Sequence, residues 1–548
     1  MMLPDRMPEL LAVYQADRGS LERRYSASDS PIRRERFKLF FREWAEKAEA
    51  LPTDALSASD RVDHYLFRRH LSRERADLCE EARHFAEIVP LVPFAEELIA
   101  LDEARRSHAP VDPRAAAERL DLAGEELRAL REKLKLGADG GIAAPGAVLA
   151  YRAAGVVDRL RKTLERWFGF RNGYDPVFSW WVEKPYRALD SALEAYAELL
   201  RTEISGIAKE KKDEAIVGDP IGRDALLAAL KDALIDATPE ELTEIGRREM
   251  QWCREELVKA AGEMGLGDDW CAALERVKAD YLAPGEQPGL IRDLANEAIA
   301  YVRDNDLVTV PPLAEETWRM EMMSAERQKV NPFFLGGEAI IVSFPTEEME
   351  QEHKRMSQRG NNRHFARATV HHELIPGHHL QWFVKSRSRP YRQMFYTPFW
   401  VEGWTLHWEM LLWERGWGRT PEERIGMLFW RMHRGARVVF SLAFHLGQMS
   451  APECVDMLVN EVGHERDNAI AEVRRSFGGD YDPLYQAAYL LGGLQVHHLY
   501  RELTESGRMS AREFHDAFLA QNYLPIAVMR AVLRGESVDD DLPGWQFG

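Results

Sequence analysis

A chain of 548 residues with 45% hydrophobic content can bury a large core and is long enough for two or more domains. Its 72 Lys and Arg against 90 Asp and Glu leave a formal charge of −18, which argues against nucleic acid or an anionic membrane surface as a partner. The four cysteines, Cys79, Cys253, Cys271 and Cys454, lie far apart and form no CxxC pair, so neither a disulfide framework nor a cysteine-based redox or metal motif is expected.

The first residues, Met-Met-Leu-Pro-Asp-Arg-Met-Pro-Glu, place charges and prolines where a signal peptide needs an apolar core, and no run of about 18 apolar residues follows anywhere. The expected location is cytoplasmic. Segments 114–136 and 191–207 are amphipathic and rich in Ala, Leu, Glu and Arg, which predicts helices with solvated charged faces. Gly137 to Gly146 predicts a loop, and not a phosphate cradle, because no Gly-Lys-Ser/Thr follows. Helix starts are marked by Ser or Thr with Glu three residues on: Thr238 with Glu241, Thr420 with Glu423, Ser450 with Glu453 and Ser510 with Glu513. The run Ala283-Pro-Gly-Glu-Gln-Pro-Gly289 predicts a junction between a helical N-terminal lobe, 1–283, and a second helical lobe, 284–548. There is no internal repeat. Gly336 to Pro345 is β-branched and glycine-flanked, and reads as the one strand in a helical chain.

Four of the 17 histidines then fall within nine residues, in Val370-His371-His372-Glu373-Leu374-Ile375-Pro376-Gly377-His378-His379. Neutral imidazole and carboxylate are the ligands of a catalytic zinc, which takes three protein ligands and keeps a fourth position open. The third ligand has a candidate in Glu402, a lone carboxylate in Phe399-Trp400-Val401-Glu402-Gly403-Trp404. In HExxH the two histidines are four apart, about 40° around a helix; His372 and His378 are six apart, about 120°. Pro376 and Gly377 answer this, since the pair can bulge the helix and swing His378 back. His379 lies on the ideal face but about 10 Å along the axis, and stands as second choice. Two histidines and a carboxylate also form the facial triad of non-haem iron enzymes. Glu373 favours hydrolysis, where it has a task as general base.

At these residues the chain resembles the bacterial domain-of-unknown-function 885 family, itself similar to helical zinc peptidases of the oligopeptidase and angiotensin-converting types. The likeness covers most of the chain. The family's His-Glu-x-x-Pro-Gly-His is met by His372 to His378, with Leu380-Gln381 behind it, and its Glu-Gly-Trp by Glu402-Gly403-Trp404. A pattern of Arg, an acid four later and His four later corresponds to Arg437, Ser441 and His445, with the acid missing; Pro483, Tyr489 and Gly492 match a final motif. An oxyanion formed at a metal needs a further donor, for which Tyr489 and His445 are the candidates. Arg437, at i, i+4 and i+8 with Ser441 and His445 on a helix over 431–447, can clamp a substrate carboxylate. The plain alternatives are a core tyrosine and an arginine that caps or pairs. The strand, through Ala339 and Ile341, either pairs with an extended substrate or is a buried hairpin. His497 and His498 read as surface histidines.

The fold expected is mainly α, a large two-lobed zincin-like peptidase of the gluzincin type with a deep cleft and one short β segment near the active site. The expected function is hydrolysis of short peptides with Zn2+ held by His372, His378 and Glu402 and with Glu373 as base. Two alternatives stay open: a metal-free binding protein on the same fold, and an amidase or esterase of non-peptide substrates. Oligomeric state is left unspecified.

Overall fold

The computed structural model describes residues 6–136, 145–206, 216–328, 333–478 and 481–547, so most of the loop expected over 137–146 lies outside the described residues. Helices carry the chain from end to end. Internal contacts divide it into two compact units, Met1–Asp60 with Leu66–Val217, and Arg61–Tyr65 with Gly218–Gly548.

In the first unit, the helix Pro113–Leu136 buries Leu120, Ala123, Leu127, Leu130 and Leu134, alternating steps of three and four that keep one apolar stripe inward. It packs on Pro176–Leu199, as does Ala147–Gly169, around Trp167, Phe178 and Leu193. The helix expected over 191–207 is the end of Pro176–Leu199 and a π-helical turn, Leu200–Ile204.

In the second unit two helix pairs form the frame. Pro239–Glu263, closed at its start by the Thr238–Glu241 capping box, lies on Pro421–His445. They approach closely because two glycines meet: a Cβ on Gly246 would sit 3.0 Å from the Gly435 carbonyl oxygen. The second pair, Pro398–Glu414 and Tyr485–Glu505, meets at Gly403 and Gly492, where a Cβ on Gly403 would be 2.7 Å from the Gly492 carbonyl carbon. Because Pro239–Glu263 and Trp270–Ala279 both pack on Pro421–His445, the run Ala283–Gly289 lies inside the second unit and the contact boundary falls at 217/218.

The expected strand forms as β2, Ala339–Val342, beside β1, Arg319–Met322, in parallel register from Arg319↔Ala339 to Met322↔Val342. Among the described residues no helix is long and apolar enough to cross a membrane.

Candidate metal centre and active site

The helix Arg363–Glu373 starts at Asn362, whose side chain accepts from the His364 and Phe365 amides, and it is buried from Phe365 to its last residue. There it stops. The expected bulge is a full break: the chain turns through Leu374–Gly377 and restarts as His378–Lys385. A Cβ on Gly377 would overlap the His372 carbonyl oxygen, so only glycine lets the second helix begin this close to the first. The turn brings the His372 and His378 rings to 5.0 Å between centroids, at 85° to each other. His379 faces away, its ring nitrogens 3.1 and 2.9 Å from the carbonyl oxygens of Glu338 and Ala314, so the second-choice ligand is not brought to the site.

Glu402 arrives on Pro398–Glu414. Its neighbours explain the rest of its motif: Gly403 permits the contact with Gly492, and Trp404 Nε1 donates to the Pro376 carbonyl at 2.9 Å, tying this helix to the turn. Glu402 Oε2 lies 3.3 Å from His378 Nε2 and 3.8 Å from His372 Nε2. Donor atoms of His372, Glu373 and His378 also fall within 4.8 Å of one another.

The outer atoms of these residues are occupied. His372 Nδ1 is 2.6 Å from Glu409 Oε1; a carboxylate only accepts, so Nδ1 carries the hydrogen and Nε2 presents a lone pair. Gln381 donates to the Trp400 and Val401 carbonyls, which turns its oxygen to His378 Nδ1 at 3.3 Å and fixes that tautomer too. Tyr485 donates to Glu402 Oε1 at 2.5 Å, while Oε2, buried, faces His378 Nε2 at 3.3 Å. The Nε2 atoms of His372 and His378 and Oε2 of Glu402 thus converge, and once His378 gives up its proton this donor set fits a divalent ion of the zinc type.

Electrostatics follow from burial. Glu402 is desolvated, yet His378, His372 and Tyr485 hold its carboxyl well below the usual range. Burial pushes the Glu373 carboxyl up to about 7, against the pull of His378. The backbone at Gly336 presses on Glu373 so closely that a side chain there would overlap it.

Around the cluster lies a cavity of about 320 Å³, within the range of small-ligand pockets, and every residue lining it belongs to the second unit. Tyr489 lines it, its ring stacked 6.3 Å from that of His372, its oxygen accepting from Arg475 Nη2 at 3.4 Å. Burial raises its phenol to about 12, so it keeps its proton at neutral pH.

Other expected residues are placed differently. His445 is not in the cavity wall; it packs edge-on against Phe444 and Phe477, which stack on each other, and burial lowers it to about 4. Arg437 does line the cavity, but Nε and Nη2 both contact Glu472 Oε1 at 2.6 Å, which neutralises its charge and leaves only Nη1 without a hydrogen-bond partner. That partner comes from the helix Arg466–Phe477. Ala339 and Ile341 do not line the cavity, and the Ile341 amide and carbonyl are both bonded to Leu335, at 2.8 and 3.0 Å, which closes that strand position to a peptide. His497 contacts Glu414 at 3.0 Å, away from the site.

Glu409, Tyr485, Arg434 and Arg475 also surround the cluster and carry no motif that marks them in the sequence. The first two have only a positional signal: Glu409 is seven residues past Glu402 and Tyr485 four before Tyr489, each on the same helix face as its neighbour.

A helical unit with a buried His-His-Glu donor set and an adjacent acid is the class of protein that fold and site define. The chain belongs to the family described as "Bacterial protein of unknown function (DUF885)", whose model matches residues 13–533. No curated protein matches it. Among solved structures it is similar to a "putative lipoprotein of unknown function from Shewanella oneidensis", at 15% identity and TM-score 0.71 over 97% of this chain and 100% of that one. It is also similar to a "putative lipoprotein from Colwellia psychrerythraea", at 13% identity and TM-score 0.59 over 96% and 98%. At these identities the likeness concerns the fold.

Proposed function

We propose that this protein is a zinc-dependent peptidase of short peptides, with a gluzincin-like arrangement of ligands. One observation supports it above the rest: His372 Nε2, His378 Nε2 and Glu402 Oε2 converge while every other polar atom of those side chains is held by Tyr485, Glu409 or Gln381. Such a set would hold zinc, whose chemistry when bound is that of a Lewis acid that makes water acidic near neutral pH.

The chain's own groups do the remaining work. Glu373, with its carboxyl near 7, takes a proton from water and returns it to the leaving amine. Tyr489, protonated and steadied by Arg475, donates to the oxygen on which negative charge develops. Tyr485 and Gln381 keep Glu402 and His378 in place. A cavity of about 320 Å³ admits a few residues of chain and excludes a folded protein.

Glu373→Gln should keep its metal and lose turnover by about 10²–10⁴-fold. Retained turnover would take the base role from Glu373. A screen of short peptides beside simple amides and esters separates a peptidase from an amidase or esterase, and a chain that binds no metal would be the binding-protein alternative. The lipoprotein descriptions of both solved relatives favour an extracytoplasmic place over the cytoplasmic one expected from the N-terminal residues; cell fractionation decides.

A further inference from the structure

Among the described residues five cationic side chains line the cavity; Arg327 is exposed to solvent, and the other four differ in how they are neutralised. Arg434 pairs with Glu409 at 3.3 Å and Arg437 with Glu472 at 2.6 Å. Arg475 pairs with nothing anionic: among the described residues no carboxylate comes within ion-pair distance, and its bonds go to the phenol oxygens of Tyr481, at 3.2 Å, and Tyr489, at 3.4 Å. Lys385 is alike, donating to Tyr523 at 3.0 Å and lying over the Trp382 ring. The carboxylates that line the cavity are Glu373 and Glu402, both already part of the donor cluster. A chain of net charge −18 therefore carries a cavity wall with surplus positive charge, to which a bound divalent ion would add.

Neutral phenols satisfy some donors of a guanidinium and none of its charge. A half-buried arginine with no carboxylate in contact is costly unless a ligand brings the anion. Nε of Arg475 is spent on Tyr481 and one Nη2 hydrogen on Tyr489, which leaves Nη1 and the second Nη2 hydrogen for an acceptor.

We propose that the substrate carries a carboxylate bound by Arg475, with Lys385 adding to the attraction. The carboxylate is a free C-terminus or an acidic side chain. That it belongs to a peptide rests on the peptidase reading above; the anion site itself does not need turnover.

The test uses two matched pairs: N-acetyl-trialanine as acid and as amide, and N-acetyl-Ala-Glu-Ala-amide with its Gln counterpart. Binding is measured by calorimetry to the metal-loaded Glu373→Gln protein, and cleavage separately with the parent. A charge-assisted, bidentate contact predicts that one acid binds roughly tenfold or more tighter than its neutral partner. The pair that shows the gap names the source of the carboxylate. The gap should close in Arg475→Gln, return in part in Arg475→Lys, and shrink as salt rises. Because Arg475 also touches Tyr489, a fall in overall rate counts for nothing here; the acid-to-neutral ratio does. Equal binding within both pairs, or a gap that survives Arg475→Gln, overturns the proposal. If Arg475→Gln fails to fold, a gap in the parent that is insensitive to salt overturns it instead. An acid preference with no cleavage keeps the anion site and removes the peptidase; cleavage of both pairs without discrimination does the reverse.

Discussion

At the scale of single residues, the donor cluster depends on atoms one bond removed from it. His372 presents Nε2 because Glu409 holds Nδ1 at 2.6 Å, and Glu409 is itself buried and steadied by Arg434. Partners of this kind typically change metal affinity by about 10–100-fold when removed. Glu409→Gln, which keeps the shape and drops the charge, should weaken zinc binding by that factor in a chelator competition; unchanged affinity would show that His372 is oriented by packing alone. That His372, Glu373, His378 and Glu402 come together was legible in the sequence because His, Glu, Pro and Gly are rare in combination. Glu409, Tyr485 and Arg475 were not, because a single acid, phenol or arginine inside a long amphipathic helix looks like any solvated or core position until the fold shows what it faces.

At the scale of elements, helix starts were the most legible feature. Thr238, Ser450 and Ser510 all close capping boxes with the glutamates three residues on. Thr420 caps its helix through the Glu423 amide, while the Glu423 carboxylate turns to the Arg419 amide. The break between Glu373 and His378 was half legible: Pro376-Gly377 signalled a disturbance, and whether a helix bulges or stops is decided by how near His378 must come to His372. The strand's role was the least legible, since nothing local in β2 reveals that Leu335 folds back onto Ile341. Helix pairing makes a sharp prediction. Gly403→Ala forces a methyl into the Gly492 backbone and should cost about 1–3 kcal/mol in denaturant unfolding. Gly124, in a helix of the first unit with open space where a Cβ would go, should gain about 0.5–1 kcal/mol as alanine. Equal effects at the two sites would contradict the close approach that sets Glu402 in place.

At the scale of the whole molecule, composition described the surface and hid the cavity. A net charge of −18 is an average over an acidic exterior, and it gives no hint that the wall around Glu373 and Glu402 is cationic. Acid stability is a second property of the whole chain. Burial holds His70 in the first unit and His515 in the second down to about 3, from an ordinary value of 6.5. Below pH 6.5 the unfolded chain takes up protons that the folded chain refuses. Their contribution is therefore complete above 6.5 and is lost as pH falls toward 3, at about 1.4 kcal/mol per pH unit for each histidine. Denaturation midpoints should drop between pH 7 and pH 4.5; a flat profile would contradict the neutral, buried state of these rings.

On the proposed function His372, His378 and Glu402 share one metal ion, and elemental analysis tests this most directly. The purified protein and its His372→Ala and Glu402→Ala variants are compared, each checked for folding by circular dichroism. About one equivalent of zinc in the parent, lost from both folded variants, is the predicted result. A parent that takes up no metal even when zinc is supplied, or variants that keep it, would contradict the site and the chemistry built on it.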